Sequence, residues 1–363
     1  MTINNIEKSF YYNTDGNIFT SKYDAIMNSK SQLYYYYYDS DFSSLNWKIE
    51  PEESLNFLYK ERAQQLRDSY DYIILAYSGG VDSTNILETF YYNKIKIDEI
   101  MLVGAFSQDP SRSTDINHNL EIYKNCFETL RTLDLKNTKI TLKDYSSMIT
   151  DKRNFSLTDQ DDWYKKIGAR YALHHWFWYD LGSASSFANI YGQGKKTALV
   201  FGIDKPIVQY DFLTKKFFFQ FIDNAANIYG LPKLTNNQNY ERVYFYWHPS
   251  ASTLLLKQVH VVKRYIETEI LSKSSPSFAF DHYYQNRERF VGNVIYTLKN
   301  PLRFVSQKSK SMFFSLRDQF LFEKSDFKSL DVIKNFEQGQ INMERSGFKD
   351  KNTVVYSKKY FLT

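Results

Sequence analysis

Cysteine is all but missing from this chain: Cys126 is the single thiol in 363 residues. One thiol excludes an intrachain disulfide and any Cys-x-x-Cys metal or redox cluster. Proline and glycine are scarce too, at 7 and 13 residues, which argues against long disordered segments. No apolar run approaches the roughly 18 residues that span a bilayer, and Met1 to Phe10 lacks the apolar centre of a secretory leader. The expected setting is cytoplasmic, with no membrane partner. Charge of one sign is not in excess either. The 46 Lys and Arg against 41 Asp and Glu leave +5, with no long basic block. That balance suits phosphate-bearing ligands without requiring nucleic acid.

What the chain has in quantity is aromatic side chains, 31 Tyr and 29 Phe, in a length that suits one large or two ordinary domains. Its most informative stretch is Tyr72-Ile73-Ile74-Leu75-Ala76-Tyr77-Ser78-Gly79-Gly80-Val81-Asp82-Ser83-Thr84. The first half is a short apolar run that predicts a buried strand. The second half is a glycine turn opening onto a helix predicted from Thr84 to Asn93. The first turn of a helix at such a junction aims unpaired N–H groups and the positive end of its dipole at the loop, where an anion is the natural occupant. Gly79 and Gly80 permit positive φ and close backbone approach, and Ser78 and Ser83 add hydroxyls. Asp82 sets a carboxylate beside the phosphates, an arrangement that calls for Mg²⁺ or an orienting donor between them. Neither Gly-x-x-x-x-Gly-Lys-Ser/Thr nor Gly-x-Gly-x-x-Gly is present, so a Walker loop and a dinucleotide fingerprint are excluded here. A bare strand-to-helix turn with no ligand is the competing reading.

Ser78-Gly79-Gly80-Val81-Asp82-Ser83 resembles, position for position, the pyrophosphate loop of the N-type ATP pyrophosphatases. That family includes asparagine, GMP, NAD and argininosuccinate synthetases and several tRNA-modifying enzymes. The resemblance implies an α/β fold with a mostly parallel sheet flanked by helices, of the adenine nucleotide α-hydrolase type. It also implies ATP and Mg²⁺ as ligands, cleavage of ATP to AMP and pyrophosphate, and adenylation of an acceptor carboxylate or amide oxygen before an amine or ammonia attacks. On this basis Ser78, Gly79, Gly80, Val81, Asp82, Ser83 and Thr84 would hold the nucleotide's phosphates. Ala105 and Phe106, at the end of a second strand predicted over Ile97 to Phe106, would meet the adenine. Gly202-Ile203-Asp204, after the strand Thr197 to Phe201, looks like a weakened form of the family's later glycine-acidic element. Asp82 and Asp204 would then hold Mg²⁺, while Ser78, Asp82 and Lys205 would act on the departing phosphates.

The asparagine synthetase synthase domain is similar in carrying a helix directly before the loop strand. Here Leu55, Leu58, Ala63 and Leu66 recur at helical spacing behind Pro51. The glutaminase domain of such enzymes is not expected here, since Thr2 stands where its nucleophilic cysteine would and some 75 residues before the loop are too few for that domain. Nitrogen would come from free ammonia or another chain. The lone Cys126, expected inside a helix over 117–133 as a small buried hydrophobe, disfavours the sulfur-transferring relatives.

The remaining expectations are coarser. The run Tyr34 to Tyr38 suggests a strand in a small N-terminal extension, residues 1–50. A pyrophosphatase domain would occupy 51–210, with a third strand over Thr138 to Tyr145, and a lid or substrate region would fill 211–363. The adjacent His174 and His175 are expected in the core or in solvent rather than on a metal. A hairpin is predicted from Ile207 to Phe221, and Tyr244 to Ser250 leads into a helix over Ala251 to Glu269. Phe304 to Lys310 offers a candidate phosphate contact. A small-molecule acceptor is the expected partner, with RNA as an alternative recognisable by steeply salt-dependent binding. Self-association and a catalytically silent nucleotide-binding role both stay open.

Overall fold

The computed structural model describes residues 10–20, 22–104, 122–144, 194–202, 205–223, 240–272, 276–296, 298–299 and 355–363, with a few isolated positions between 338 and 345. At its centre lies a parallel sheet of β4 (Tyr72–Ala76), β5 (Glu99–Gly104), β6 (Lys139–Asp144), β7 (Thr197–Phe201) and β10 (Tyr240–Tyr244). Their order is β10-β7-β4-β5-β6, and every pairing is parallel. The chain winds outward one way from β4 through β5 to β6, then returns to the other side of β4 for β7 and β10. The order therefore reverses between β4 and β7. In open α/β sheets the carboxyl ends of the strands at such a reversal are the usual ligand position.

The central strands are apolar because both faces are covered. Ile73, Leu75, Ile100, Leu102, Ala198 and Val200 belong to the main core, whereas Ile74, Ala76, Met101 and Leu199 form a second cluster on the opposite face. Helix α3 (Leu55–Ser69) starts at an N-cap Ser54 whose hydroxyl accepts from Phe57 N–H, and it buries Leu58, Tyr59, Ala63 and Leu66. Helix α4 (Val81–Tyr92) is buried from Ser83 to Phe90 and packs on α3. Ion pairing fixes the lower end of the slab. Arg67 and Lys96 meet Asp98 at 2.6 and 2.9 Å, and Asp98 accepts from Ile73 N–H at 2.9 Å. Burial alone would raise the Asp98 carboxyl; these three donors hold it below the usual carboxylate range.

Around this slab lie two small antiparallel sheets. One is ordered β2 (Asn17–Phe19), β1 (Phe10–Thr14), β3 (Tyr34–Tyr37). The predicted tyrosine strand is thus present, with Tyr35 and Tyr37 buried and Tyr34 and Tyr36 half-buried. The other joins the predicted hairpin, β8 (Ile207–Asp211) and β9 (Lys216–Gln220), to the C-terminal strand β11 (Tyr360–Phe361). Short helices α1 (Lys22–Asn28) and α2 (Asp39–Ser43) follow β2 and β3. Helix α5 (Phe127–Arg131) continues a π-helical turn, Ile122–Cys126. Helices α6 (Ser252–Tyr265), α7 (Pro276–Gln285) and α8 (Arg287–Ile295) complete the described C-terminal region.

Two expectations need correction. The parallel sheet does not end near residue 210, because β10 adds a fifth parallel strand at 240–244 after the antiparallel hairpin has intervened. Helix α4 begins at Val81, three residues before the predicted start, so Val81, Asp82 and Ser83 form its first turn. The described helices include none long and apolar enough to cross a membrane.

Candidate functional site

At the reversal point β4 runs out through Tyr77 into Ser78-Gly79-Gly80, and α4 starts at once. Gly79 has φ +74°, the left-handed region that glycine enters without strain. Space forbids a side chain there as well, since a Cβ would stand 2.7 Å from Cys126 Sγ. Cys126 is fully buried and sits under the loop, its Sγ 4.0 Å from the Tyr77 carbonyl oxygen. It is the small buried residue expected of it, and its size sets the seat of the turn.

The loop is braced from within. Ser78 Oγ and Ser83 Oγ lie 3.2 Å apart, and Ser78 N–H donates to Ser83 Oγ at 3.3 Å. Ser83 Oγ also donates to the Gly80 carbonyl at 3.2 Å, and Gly80 N–H approaches Ser78 Oγ at 3.4 Å. The first intrahelical bond of α4 is Thr84 N–H to the Gly80 carbonyl, 2.9 Å. The amides of Val81, Asp82 and Ser83 therefore precede the helix's own acceptors, as the first turn of any helix requires. Thr84 differs from its neighbours: its amide is used in that bond, and its hydroxyl lies 3.3 Å from the Tyr77 hydroxyl in the interior.

Strand β7 meets this turn almost without a gap. A Cβ on Gly202 would stand 3.0 Å from both Asp82 C and Ser83 N. Glycine is needed there for close approach. Beyond it, Lys205 turns back to place Nζ 2.8 Å from Asp82 Oδ2, with its side chain 5% exposed and that of Asp82 18%. The lysine stem passes over Gly292 of α8, where an added Cβ would come within 3.3 Å of Lys205 Cε. Sequence reasoning placed Asp82 and Lys205 in one site, and the structure brings them into contact. Ala105, Phe106, Asp204, His174, His175 and the segment Phe304 to Lys310 lie outside the described residues.

Two tyrosines outside the predicted site residues complete the surroundings of Asp82. Tyr296, just after α8, donates its hydroxyl to Asp82 Oδ1 at 2.9 Å, and Tyr246, just after β10, donates to the Asp82 carbonyl at 2.8 Å. Asn85 Nδ2 donates to the Tyr246 hydroxyl at 3.0 Å. Behind them Tyr59 takes a bond from Gln258 at 3.1 Å and gives one to the Ile295 carbonyl at 2.9 Å. The rings of Tyr246 and Tyr296 are 5.4 Å apart, and those of Tyr59 and Tyr296 6.2 Å. Burial, then the negative charge of Asp82, pushes the Tyr296 hydroxyl well above the ordinary phenol value. Burial, then its neighbours Tyr59 and Asp82, does the same to Tyr246. Both tyrosines keep their protons and act as fixed donors. With 31 tyrosines in the chain, no local signal marks these two.

The arrangement places the first-turn amides of the helix, the exposed Ser78 hydroxyl, one carboxylate and one buried ammonium together at the carboxyl end of a parallel sheet. These groups can bind an anion with several oxygens. Among the described residues no three metal-ligating side chains converge. No family model matches the chain, and no curated protein matches it.

Proposed function

We propose that this loop binds the triphosphate of ATP, and that the protein cleaves ATP between its α- and β-phosphates to adenylate an acceptor oxygen. One observation carries the reading: the six residues Ser78 to Ser83 form a strand-to-helix bend at the point where the strand order reverses, with the first-turn amides of α4 at its mouth. An anion there meets the helix dipole and backbone donors together. An acceptor carboxylate or amide oxygen would form a bond to the α-phosphorus as the bridge to the β-phosphate breaks. The electron pair leaves on pyrophosphate, and an amine or ammonia then displaces AMP.

The chain's own groups divide that work. Loop amides and the serine hydroxyls orient the triphosphate tail, and Lys205 balances charge that grows on the departing pyrophosphate. Asp82 is the described carboxylate able to hold Mg²⁺, which fits an ion bound mostly through phosphate oxygens and water with one protein ligand. When bound, Mg²⁺ would neutralise the phosphate oxygens.

Substrate-dependent exchange of labelled pyrophosphate into ATP tests this reading, and Asp82→Ala should abolish it. Release of ADP and orthophosphate would count against cleavage at the α–β bridge. A second reading has its own support, because both Asp82 oxygens already have protein partners. Under it the protein binds the nucleotide and turns nothing over. ATP binding with no pyrophosphate released, across a screen of amino acids, nucleobases and tRNA as acceptors, would favour that second reading.

A further inference from the structure

Two hydroxyls from the described chain after residue 210 meet Asp82, and they meet it at different points. Tyr246 donates to its main-chain carbonyl at 2.8 Å and so acts on the helix turn. Tyr296 donates to the carboxylate, at Oδ1, over 2.9 Å. A carboxyl group on a single methylene turns broadly about χ2 unless its oxygens are held. Lys205 meets Oδ2 at 2.8 Å, but an ammonium is a point charge with rotatable donors, so it anchors that oxygen without setting the plane of the group. A donor on the other oxygen sets the plane.

Tyr296 is itself placed from several sides. Its ring is buried beside those of Tyr246 and Tyr59, with centroids 5.4 and 6.2 Å away. Its N–H donates to the Gly292 carbonyl at 3.0 Å, and the carbonyl of the preceding Ile295 accepts from Tyr59 at 2.9 Å. Tyr59 is held in turn by Gln258 at 3.1 Å. Helices α3, α6 and α8 thus fix the point from which the hydroxyl is offered. A hydroxyl has one proton to give, and this one goes to the loop carboxylate. Phenylalanine would fill the same space without that bond.

We infer, resting on the ATP-binding reading above, that Tyr296 is a positioning residue: it holds the Asp82 carboxylate in the orientation that serves metal-bound nucleotide, acting through that carboxylate rather than on the nucleotide. Groups that orient a ligating side chain typically change metal affinity by about 10- to 100-fold. The C-terminal region thereby takes part in the site through one oxygen atom.

The test compares ATP affinity of the full chain in chelator and in excess Mg²⁺ by calorimetry, and reads the gain that the metal confers. Wild type should show a gain. Tyr296→Phe should lose about tenfold or more of it, with affinity in chelator unchanged. Tyr246→Phe deletes an oxygen from the same cluster, but one that serves the main chain, and should keep the gain. Asp82→Asn should remove the gain, and adding Tyr296→Phe to that variant should change nothing further. Equal weakening of Tyr296→Phe in chelator and in Mg²⁺ would overturn the inference. So would a full gain in that variant, an equal loss in Tyr246→Phe, or failure of Tyr296→Phe to fold, since the bond would then support the fold instead. ATP binding by wild type with no gain from Mg²⁺ would sink the inference and leave the nucleotide site standing. Failure of the parent reading looks different: wild-type protein would bind ATP under neither condition.

Discussion

The parallel slab and the aromatic region beside it are held together by different means. In the slab, strand ladders set the register and aliphatic side chains fill the faces, so each residue mostly meets its neighbours in the sheet. In the aromatic region, rings reach across the chain. Phe221 lies 4.7 Å from Phe42, 5.2 Å from Tyr37, 5.4 Å from Trp247 and 5.9 Å from Tyr360, measured between ring centroids. These partners come from the N-terminal segment, the turn after β10 and the C-terminal strand. Tyr37 adds a hydrogen bond to the Trp247 carbonyl at 2.7 Å, and Trp47 stacks on Phe219 at 5.2 Å. The slab offers a stiff edge for the loop. The ring cluster joins N-terminal, central and C-terminal segments of the chain, and a large aromatic surface is the economical way to do so.

The sharpest way to break this comparison is to remove one ring. Phe221→Ala takes a fully buried side chain from the middle of the cluster and should cost about 3–5 kcal/mol in denaturant unfolding. Ile100→Val, equally buried in the slab, should cost about 0.5–1.5 kcal/mol. Equal losses would mean that the cluster is no more of a keystone than the sheet.

The same division governs what could be inferred from residues alone. Continuous apolar runs such as Tyr72-Ile73-Ile74-Leu75-Ala76 and Thr197-Ala198-Leu199-Val200-Phe201 announce buried parallel strands because both faces need covering. Strand β10 carries Glu241 and Arg242 beside buried Val243 and Tyr244. Among the described strands it pairs with β7 alone, and its mixed pattern matches no buried run, so it went unforeseen. In the site, Asp82 and Lys205 were legible because charge beside a glycine loop has a chemical meaning. Tyr246 and Tyr296 were not, because their role depends on folding that brings residues 164 and 214 positions away onto Asp82. The early start of α4 escaped for a local reason: glycine at the N-cap and valine at the first position carry little start signal.

Next in size is a change to the slab's most crowded corner. Gly79→Ala meets both a left-handed φ and the Cys126 sulfur, and should cost about 3 kcal/mol from backbone strain and overpacking. Because the strain sits in the loop, nucleotide affinity should fall further than global stability. Calorimetric titration with ATP beside thermal unfolding separates the two.

A pH effect probes the border between the regions. His248 caps the turn Pro249–Ala251, its Nδ1 accepting from Ser250 N–H at 3.2 Å. Burial, then the charge of nearby Arg62, lowers its pKa to about 4. A depressed folded value means that the unfolded chain takes the proton first as pH falls. Stability is therefore full above about 6.5, declines between 6.5 and 4, and levels off below that. Allowing for partial exposure of the ring, the loss should be about 2 kcal/mol. His248→Gln should flatten that part of the stability profile, and an unchanged slope would place the titration elsewhere.

The smallest expected effect is the most local. Tyr246 follows β10 at the border with the ring cluster, yet its hydroxyl serves the loop, donating to the Asp82 carbonyl and accepting from Asn85. Tyr246→Phe keeps the buried ring and deletes one oxygen, leaving a carbonyl and an amide hydrogen each short of a partner. The cost should be about 1–2 kcal/mol. If the hydroxyl pins the first turn of α4, amide exchange at Thr84 should speed up in the variant while exchange in β5 stays at the wild-type rate. Uniform acceleration through both would show that the tyrosine stabilises the whole slab, and that the loop draws no separate support from the region beyond β10.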